Sequence, residues 1–269
     1  MTFQESPRLP VVVALHSSAA SGRQWRALAA GLDHTHRVVA PDLHGHGDGP
    51  PAPLWPAAIV GADTEYVVRH VMASPEGVHL VGHSYGAAIA LRVARRCGAQ
   101  VRSLSLVEPV AFGLLFERYG RRRPAAEIYE IGRALNTFMR AGHPLLAAQR
   151  FVTYWGGQSA WTRLGPDARM AVAARMPAVA AHFDGLAADD FTLDDCRAIT
   201  APTLLLAGTA TRKPALRIAE LVASALRNVR DERLAGGNHV EALEAPARIV
   251  KRIAAFVGEI DAPSLKEAA

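Results

Sequence analysis

The sequence predicts an α/β protein with a mostly parallel sheet that is covered by helices. Short apolar runs rich in β-branched residues recur along the chain, and helical patterns separate most of them. This alternation is typical of strands buried on both faces of a parallel sheet. A second observation is a glycine-flanked serine, at Gly82–Gly86, between one such run and an alanine-rich helical stretch. The predicted strands are Val11–Leu15, Arg37–Ala40, Val78–Val81, Val101–Val107, Thr203–Ala207 and Val229–Leu234.

Helical patterns fill most of the intervals between these strands. Two of the predicted helices begin at Pro214 and Pro246, because proline is favoured in the first turn of a helix. Pro50–Pro56 contains four prolines. We expect a surface excursion there, because such a segment fits neither a regular helix nor a central strand. The predicted helices are Gly22–Leu32, Ala62–Met72, Ser84–Cys97, Pro214–Leu226 and Pro246–Val257.

The segment from about 112 to 193 interrupts this alternation. It contains helical patterns, aromatic residues and helix breakers such as Pro144 and Pro166, but no convincing strand. Because it lies between two strands of the sheet, we predict a helical insertion that folds over the strand ends as a lid. The predicted organisation is a core of residues 1–111 and 194–269 with a lid of residues 112–193.

The length and composition favour one large α/β domain, or a core with an inserted subdomain. The chain has 269 residues, 50% of them hydrophobic, and a formal net charge of +5. The arginines are scattered, so we expect no nucleic-acid partner. We interpret their densest cluster, Arg121–Arg123, as a solvated helix edge, and the alternative is a contact with an acidic substrate or surface. The two cysteines, Cys97 and Cys196, lie far apart and form neither a disulfide framework nor a metal-binding pair.

The location of the protein is predicted from its targeting features. Residues 1–10 lack the basic start and the long apolar region of a signal peptide, and no apolar stretch approaches the length of a membrane span. Together with the low cysteine content, this predicts a cytoplasmic protein that does not contact a membrane.

Gly82–Gly86 is predicted to form a nucleophile elbow, which is a sharp turn between a strand and a helix. The turn holds Ser84 in a strained conformation and lifts its hydroxyl clear of the sheet. Only residues without bulky side chains at Gly82 and Gly86 let the strand and the helix approach closely. The pattern indicates a catalytic serine, and the alternative is a turn with a structural role.

A serine hydroxyl is a poor nucleophile at neutral pH, so it needs a base within hydrogen-bond distance. His239 is the predicted base. It lies in the glycine-containing loop Gly236–Val240, which follows the last predicted strand and precedes the terminal helix. The alternative is a loop histidine that forms only local hydrogen bonds.

These motifs together resemble the α/β-hydrolase superfamily over nearly the whole chain. Leu15–Ser18, Pro41–Gly47, the elbow at Ser84 and the loop of His239 carry the resemblance. It implies that a serine, an acid and a histidine follow one another along the chain. Only ten residues precede Val11, so we expect the sheet to lack the family's amino-terminal hairpin. A homodimer would cover the edge that this exposes.

The resemblance also implies positions for the acid and the oxyanion site. The usual acid position, after the strand at Thr203, holds no carboxylate, and a known variation places the acid one strand earlier, where this chain has Glu108. Glu108 could alternatively pair with an arginine. The resemblance implies that the backbone N–H groups of Ser18 and Tyr85 bind the oxyanion, with Ser17 where the family commonly has glycine. Weaker candidates for the acid are Asp42, Asp194, Asp195 and Asp231.

Apolar residues of the predicted lid are candidates for a substrate pocket, and their alternative role is in the core. His44 and His46 have no accompanying ligand cluster, and we interpret them as loop structure, so no metal and no cofactor are predicted. The candidate pocket residues are Phe112, Leu115, Phe116, Trp155, Met176 and Phe183.

The resulting hypothesis is a serine hydrolase that cleaves a carboxylic ester, or a related acyl bond, of a small and mostly apolar substrate through an acyl-enzyme. Carbon–carbon bond hydrolases, lactonases, thioesterases, acyltransferases and perhydrolases are alternatives with the same catalytic residues. Ser84 argues against a dehalogenase or an epoxide hydrolase, which use a carboxylate at the elbow. A ligand-binding homologue without catalytic activity is the alternative from a different class.

Overall fold

The computed structural model describes residues 9–262 and confirms the predicted fold class. The strands are β1 (Val11–Leu15), β2 (Arg37–Val39), β3 (Val78–His83), β4 (Val101–Val107), β5 (Thr203–Gly208) and β6 (Val229–Leu234). They form one six-stranded sheet in the order β2-β1-β3-β4-β5-β6. All neighbouring strands are parallel, so the carboxyl ends of all strands meet at one edge of the sheet.

Each helix predicted from the sequence is present. Gly22–Trp25 forms a 3₁₀ turn before α1, and α2 begins at Ile59 rather than at Ala62. The α-helices of the described residues are α1 (Arg26–Leu32), α2 (Ile59–Met72), α3 (Tyr85–Cys97), α4 (Phe112–Tyr119), α5 (Ala125–Arg140), α6 (Pro144–Arg163), α7 (Pro166–Ala174), α8 (Met176–Ala187), α9 (Leu193–Arg197), α10 (Lys213–Ala225), α11 (Glu241–Glu244) and α12 (Ala247–Asp261).

The core lies on both faces of the sheet, because successive side chains of a strand point to opposite faces. In β1, Val12 and Ala14 belong to a cluster that includes residues of α1 and α12. Val13 and Leu15 belong to the cluster on the other face, which includes residues of α2, α3 and α10. Helices therefore cover both faces, as expected for a parallel sheet.

Helices α4 to α8 are inserted between β4 and β5, and residues 112–187 contain no strand. Helix α8 packs on α2 and on the 3₁₀ turn Pro56–Ala58, and α4 packs on α10. Gly157 has φ 79° and interrupts the helical geometry within α6. The insertion therefore rests on the core as a helical layer, and its action as a lid stays a prediction.

Residues 50–55 contain no regular helix or strand, and the Leu54 side chain there is 97% exposed. The strand order leaves β2 and β6 at the two edges of the described sheet. Homodimer formation at such an edge stays a prediction. Between residues 9 and 262, no helix combines the length and the hydropathy that a membrane span requires.

We predict that Leu80→Ala lowers the free energy of unfolding by about 2–5 kcal/mol. Leu80 is 0% exposed in the middle of β3 and belongs to the core cluster that includes residues of α2, α3 and α10. Truncation therefore leaves a cavity between the sheet and the helices on that face. Urea unfolding measures the change. Leu54→Ala is the control, with an expected change within about 0.5 kcal/mol. Equal unfolding midpoints for the two variants would contradict the central position of β3.

Candidate active site

Ser84 lies in a sharp turn between β3 and α3. Its backbone has φ 55° and ψ −115°, a conformation that residues other than glycine rarely adopt. Its N–H donates to the Val107 carbonyl oxygen at 2.9 Å. A methyl group added to Gly86 would come within 2.5 Å of the Leu15 carbonyl oxygen, and one added to Gly82 would overlap the backbone of Gly86. The two glycines therefore allow β1, β3 and α3 to approach closely at this turn.

Two contacts of hydrogen-bond length join Ser84, His239 and Glu108. Ser84 Oγ is 2.9 Å from His239 Nε2, and His239 Nδ1 is 3.2 Å from Glu108 Oε2. The residues follow β3, β6 and β4, whose carboxyl ends lie at the same edge of the sheet. From these contacts we assign an Nδ1–H that donates to the carboxylate, which leaves Nε2 free to accept the serine proton.

Two further donors hold the Glu108 carboxylate. The N–H of Gly208 donates to Oε1 at 2.6 Å, and the Thr211 hydroxyl donates to Oε2 at 2.7 Å. Burial alone would raise the pKa of Glu108, but the hydrogen bond and charge of His239, together with the bonds from Thr211 and Gly208, hold this pKa below its ordinary value of 4.5. Glu108 is therefore ionised at neutral pH, and its partners are these three groups rather than an arginine.

His239 contacts Trp155 and His83, two residues that the sequence did not connect with it. The Trp155 ring stacks on the His239 ring with centroids 3.9 Å apart. His83 Nε2 donates to the His239 carbonyl oxygen at 2.9 Å, and Gln24 Nε2 lies 3.1 Å from His83 Nδ1. Burial, followed by the charge of His239, lowers the pKa of His83 to about 3. His83 is thus neutral, with one ring nitrogen as donor and the other as acceptor.

Backbone strain is concentrated at this edge of the sheet. Among residues 9–262, the non-glycine residues with positive φ are Ala19 at 62°, Ser84 at 55° and Glu108 at 49°. They follow β1, β3 and β4. Each such conformation costs of order 1–3 kcal/mol and persists only where the surroundings enforce it, which is typical of functional sites.

The loop after β1 lies beside the amino end of α3, where the sequence placed the oxyanion donors. Ser17 N–H donates to Gln24 Oε1 at 3.0 Å. Tyr85 is the first residue of α3, so its N–H is one of the donors that a helix leaves free. His182 of α8 lies 2.8 Å from Ser18 Oγ through Nδ1, and its ring stacks on Tyr85 with centroids 3.5 Å apart. An inserted helix therefore contacts both residues whose N–H groups are the predicted donors.

The histidines of the loop 41–47 use their rings in hydrogen bonds. His44 Nδ1 is 2.8 Å from Asp63 Oδ1, and His46 Nε2 accepts the Ala19 N–H at 3.1 Å. Asp63 also accepts the Tyr85 hydroxyl at 2.7 Å. This network links the loop after β1, the loop 41–47 and Tyr85 to α2. Asp63 carried no signal in the sequence that would have revealed this role.

The weaker candidates for the acid have other partners. Asp42 accepts the N–H groups of Gly22 and Asp48, at 2.6 Å and 2.8 Å. Asp195 forms a capping box with Thr192 at the start of α9. The other two candidates pair with arginines: Asp194 with Arg197 and Asp231 with Arg233.

Among the predicted pocket residues, Trp155 contacts the candidate site directly through His239. Phe112 and Phe183 contact each other with ring centroids 5.2 Å apart. Phe116 and Phe183 line a cavity of about 400 Å³ between inserted helices, whose lining does not include Ser84. The remaining predicted pocket residues, Leu115 and Met176, are fully or almost fully buried in the core cluster. The location of a substrate pocket stays a prediction.

A parallel sheet covered by helices, with a serine on the turn after a central strand, is the architecture of α/β hydrolases. The chain belongs to the alpha/beta hydrolase family, whose model matches residues 12–252. Among solved structures, the α/β hydrolase MGS-M2 from a Medee basin deep-sea metagenome library has a TM-score of 0.77 at 16% identity, over 98% of this chain and 94% of that one. At this identity the likeness shows the fold alone.

Curated relatives match shorter segments. The chain is 38% identical over 90 residues to the magnesium-chelatase 30 kDa subunit of Rhodobacter capsulatus, which is 32% of this chain and 30% of that protein. It is 35% identical over 106 residues to a pimeloyl-[acyl-carrier protein] methyl ester esterase of Methylococcus capsulatus, and the match covers 39% of this chain and 39% of that protein. It is 34% identical over 99 residues to the lipase LipV of Mycobacterium tuberculosis, and the match covers 36% of this chain and 36% of that protein. These matches therefore span between 30% and 39% of the relatives' own lengths. The family match, which spans most of the chain, supports a hydrolase.

We predict that Gly86→Ala destabilises the protein by more than about 1 kcal/mol, because the added methyl group would collide with the Leu15 carbonyl oxygen. Thermal or urea unfolding measures the change. Gly61→Ala is the matched control: Gly61 lies within α2 with open space around its Cβ position. Alanine there should raise stability by about 0.5–1 kcal/mol. Destabilisation of equal size in both variants would contradict the close approach at the elbow.

The lowered pKa of Glu108 predicts how stability depends on pH. A carboxyl group whose folded-state pKa lies below its unfolded value of about 4.5 contributes stability that is fully present above that value. This contribution is lost as the pH falls through the folded-state pKa. The unfolding free energy of the wild type relative to Glu108→Gln should therefore stay constant from about pH 7 to about pH 5 and decrease as the pH falls further. Urea titrations at several pH values measure it, and a difference that is constant with pH would rule out the ionised, bonded carboxylate.

Proposed function

We propose that this protein is a serine hydrolase that cleaves a carboxylic ester, or a related acyl bond, of a small and mostly apolar substrate through an acyl-enzyme. The observation that carries the proposal is the continuous contact from Ser84 Oγ to His239 Nε2 and from His239 Nδ1 to Glu108 Oε2. This is the arrangement of a nucleophile, a base and an orienting carboxylate that activates a serine hydroxyl.

In the first half of the reaction, Ser84 Oγ attacks the carbonyl carbon of the substrate while its proton moves to His239 Nε2. The carbonyl oxygen becomes an oxyanion, and the backbone N–H groups of Ser18 and Tyr85 are the donors proposed to stabilise it. The amino end of α3 adds a favourable dipole at this position. Glu108 stabilises the imidazolium that forms, and its pKa below the ordinary range suits that role.

In the second half, the tetrahedral intermediate collapses and the bond from the carbonyl carbon to the leaving oxygen breaks. His239 gives its proton to that oxygen, and the alcohol departs. A water molecule then loses a proton to His239 and attacks the acyl carbon. When this second intermediate collapses, Ser84 Oγ leaves with the proton from His239, and the carboxylic acid is released.

Two features support an ester of an apolar acid or alcohol. The inserted helices that face the core carry apolar and aromatic side chains, among them Trp155 against the ring of His239. Two of the curated relatives described above are named as an esterase and a lipase.

We predict that a fluorophosphonate probe labels Ser84, and that Ser84→Ala abolishes both the labelling and the hydrolysis of short-chain p-nitrophenyl esters, by about 10⁴-fold or more in turnover. His239→Ala should reduce both strongly, because the base is lost, and Glu108→Gln should reduce them less. Mass spectrometry of the labelled protein locates the adduct.

Ser224→Ala is the matched control, because Ser224 is an exposed serine of α10. It should be labelled and should turn over esters as the wild type does. A folded wild-type protein that neither reacts with the probe nor hydrolyses any ester or thioester would favour a ligand-binding homologue. Labelling that persists in Ser84→Ala would refute the assignment of the nucleophile.

A further inference from the structure

A cluster of two histidines and an aspartate lies at the amino ends of the strands. His36 precedes β2, His79 is the second residue of β3, and Asp261 is the last residue of α12. One potential ligand atom of each residue lies within 4.8 Å of those of the other two. Most of β3 separates His79 from Ser84, which amounts to roughly 16 Å at the usual rise of a strand. The cluster is therefore distinct from the candidate active site.

The ring nitrogens of the two histidines are oriented in the same way. His36 Nδ1 lies 2.8 Å from Thr35 Oγ1, and His79 Nδ1 lies 2.8 Å from Ser103 Oγ. Each Nε2 faces the carboxylate of Asp261, at 3.1 Å from Oδ2 for His36 and at 3.0 Å from Oδ1 for His79. A histidine that binds a metal commonly has its second ring nitrogen anchored by such a hydrogen bond.

His79 Nε2 is buried without a hydrogen bond. Its distance to Asp261 is that of an ion pair, but the contact does not have the geometry of a hydrogen bond, and the His79 residue is 0% exposed. With Nδ1–H assigned as a donor to Ser103, Nε2 carries a lone pair that faces a carboxylate oxygen. A cation between these two atoms would give that lone pair a partner.

The surroundings of the cluster contain charges of both signs. Arg102 Nη2 donates to Asp261 Oδ1 at 2.7 Å, so a guanidinium already contacts one of the carboxylate oxygens. His36 lines a cavity of about 1260 Å³, whose wall also includes Arg102. The charged residues on the wall of this cavity are Asp33, Arg37, Glu76 and Arg102. Their charges balance, so the arginines weaken the attraction of a cation without making the region cationic overall.

We propose that His36, His79 and Asp261 bind a divalent transition-metal ion of the zinc class. Two imidazole nitrogens and a carboxylate oxygen are ligands that Zn²⁺ takes at about 2.0–2.2 Å, and water from the cavity would supply a fourth ligand. Mg²⁺ and Ca²⁺ prefer sites made of oxygen ligands. The bound ion would cross-link α12 to β3 and to the segment before β2, so its role is to stabilise the fold and not to take part in hydrolysis.

Isothermal titration calorimetry with ZnCl₂ on the full chain, first freed of metal and chelator, tests the proposal. The wild type should bind Zn²⁺ at a site that His79→Gln weakens by at least about tenfold, because glutamine keeps the polar bulk without the ring nitrogen. Zn²⁺ should also raise the melting temperature of the wild type more than that of this variant. His34→Gln is the matched control, since the His34 side chain is 94% exposed and lies two residues before His36. It should bind Zn²⁺ as the wild type does.

Arg102→Gln should change the affinity for Zn²⁺ in the opposite direction. Loss of the guanidinium frees Asp261 Oδ1 and removes a repulsive charge, so Zn²⁺ should bind about tenfold more tightly. Wild-type protein that binds no Zn²⁺, or binds it as tightly as a His79→Gln variant that circular dichroism shows to be folded, would overturn the proposal. If His79→Gln does not fold, an affinity unchanged by Arg102→Gln would overturn it.

Discussion

The carboxylate of Glu108 forms hydrogen bonds and contacts with parts of the chain that are far apart in sequence. It accepts hydrogen bonds from Gly208 at the end of β5 and from Thr211 in the following loop, and it contacts His239 in the loop after β6. A buried carboxylate is costly unless it is paired and hydrogen-bonded. These loops are therefore held together by the need to satisfy one buried charge. The distance from His239 to Ser84 depends on that arrangement, so the chemistry proposed for the serine rests on the position of Glu108.

The same edge of the sheet carries the backbone strain and the closest packing. The strained turn at Ser84 persists because Gly82 and Gly86 leave room for α3 against β3 and β1. The regular parts of the strands and the helices on both faces supply the apolar burial that offsets such local costs. Because the scaffold is rigid, the strained loops at its edge can hold a reactive group in a fixed position, whereas a flexible loop would let that group move.

Most of the fold could be predicted from the sequence, because buried parallel strands are short, apolar and separated by helical patterns. β1, β4 and β6 begin and end at the predicted residues. The start of α2 was predicted too late, because Pro56 begins a 3₁₀ turn that leads directly into the helix, and the apolar pattern does not mark that junction. The packing of the inserted helices on the core is determined by tertiary contacts, which no local sequence pattern encodes.

The candidate site was predictable to the extent that local motifs describe it. Ser84 and His239 lie in short glycine-containing segments between a strand and a helix, and Glu108 follows from the order that the family resemblance implies. Thr211 and His182 act through contacts with residues distant in the sequence, and His182 is 164 residues from Ser18. Neither lies in a segment whose composition or spacing differs from that of ordinary loops and helices. Such supporting residues become visible only when the chain is folded.

The two histidines of β3, His79 and His83, lie near opposite ends of the strand and differ in the hydrogen bonds of their ring nitrogens. Burial makes both rings neutral, with a pKa of about 4 for His79 and about 3 for His83. At the carboxyl end, His83 uses both ring nitrogens, one with Gln24 and the other with the His239 carbonyl oxygen. At the amino end, His79 Nε2 has no such partner. A buried polar atom left without a partner costs about 1–3 kcal/mol, and His83 shows that this sheet can satisfy a buried histidine fully. The incomplete bonding of His79 is therefore a property of its own surroundings, where Nε2 faces a carboxylate oxygen of Asp261. The cation proposed above would give this nitrogen a partner.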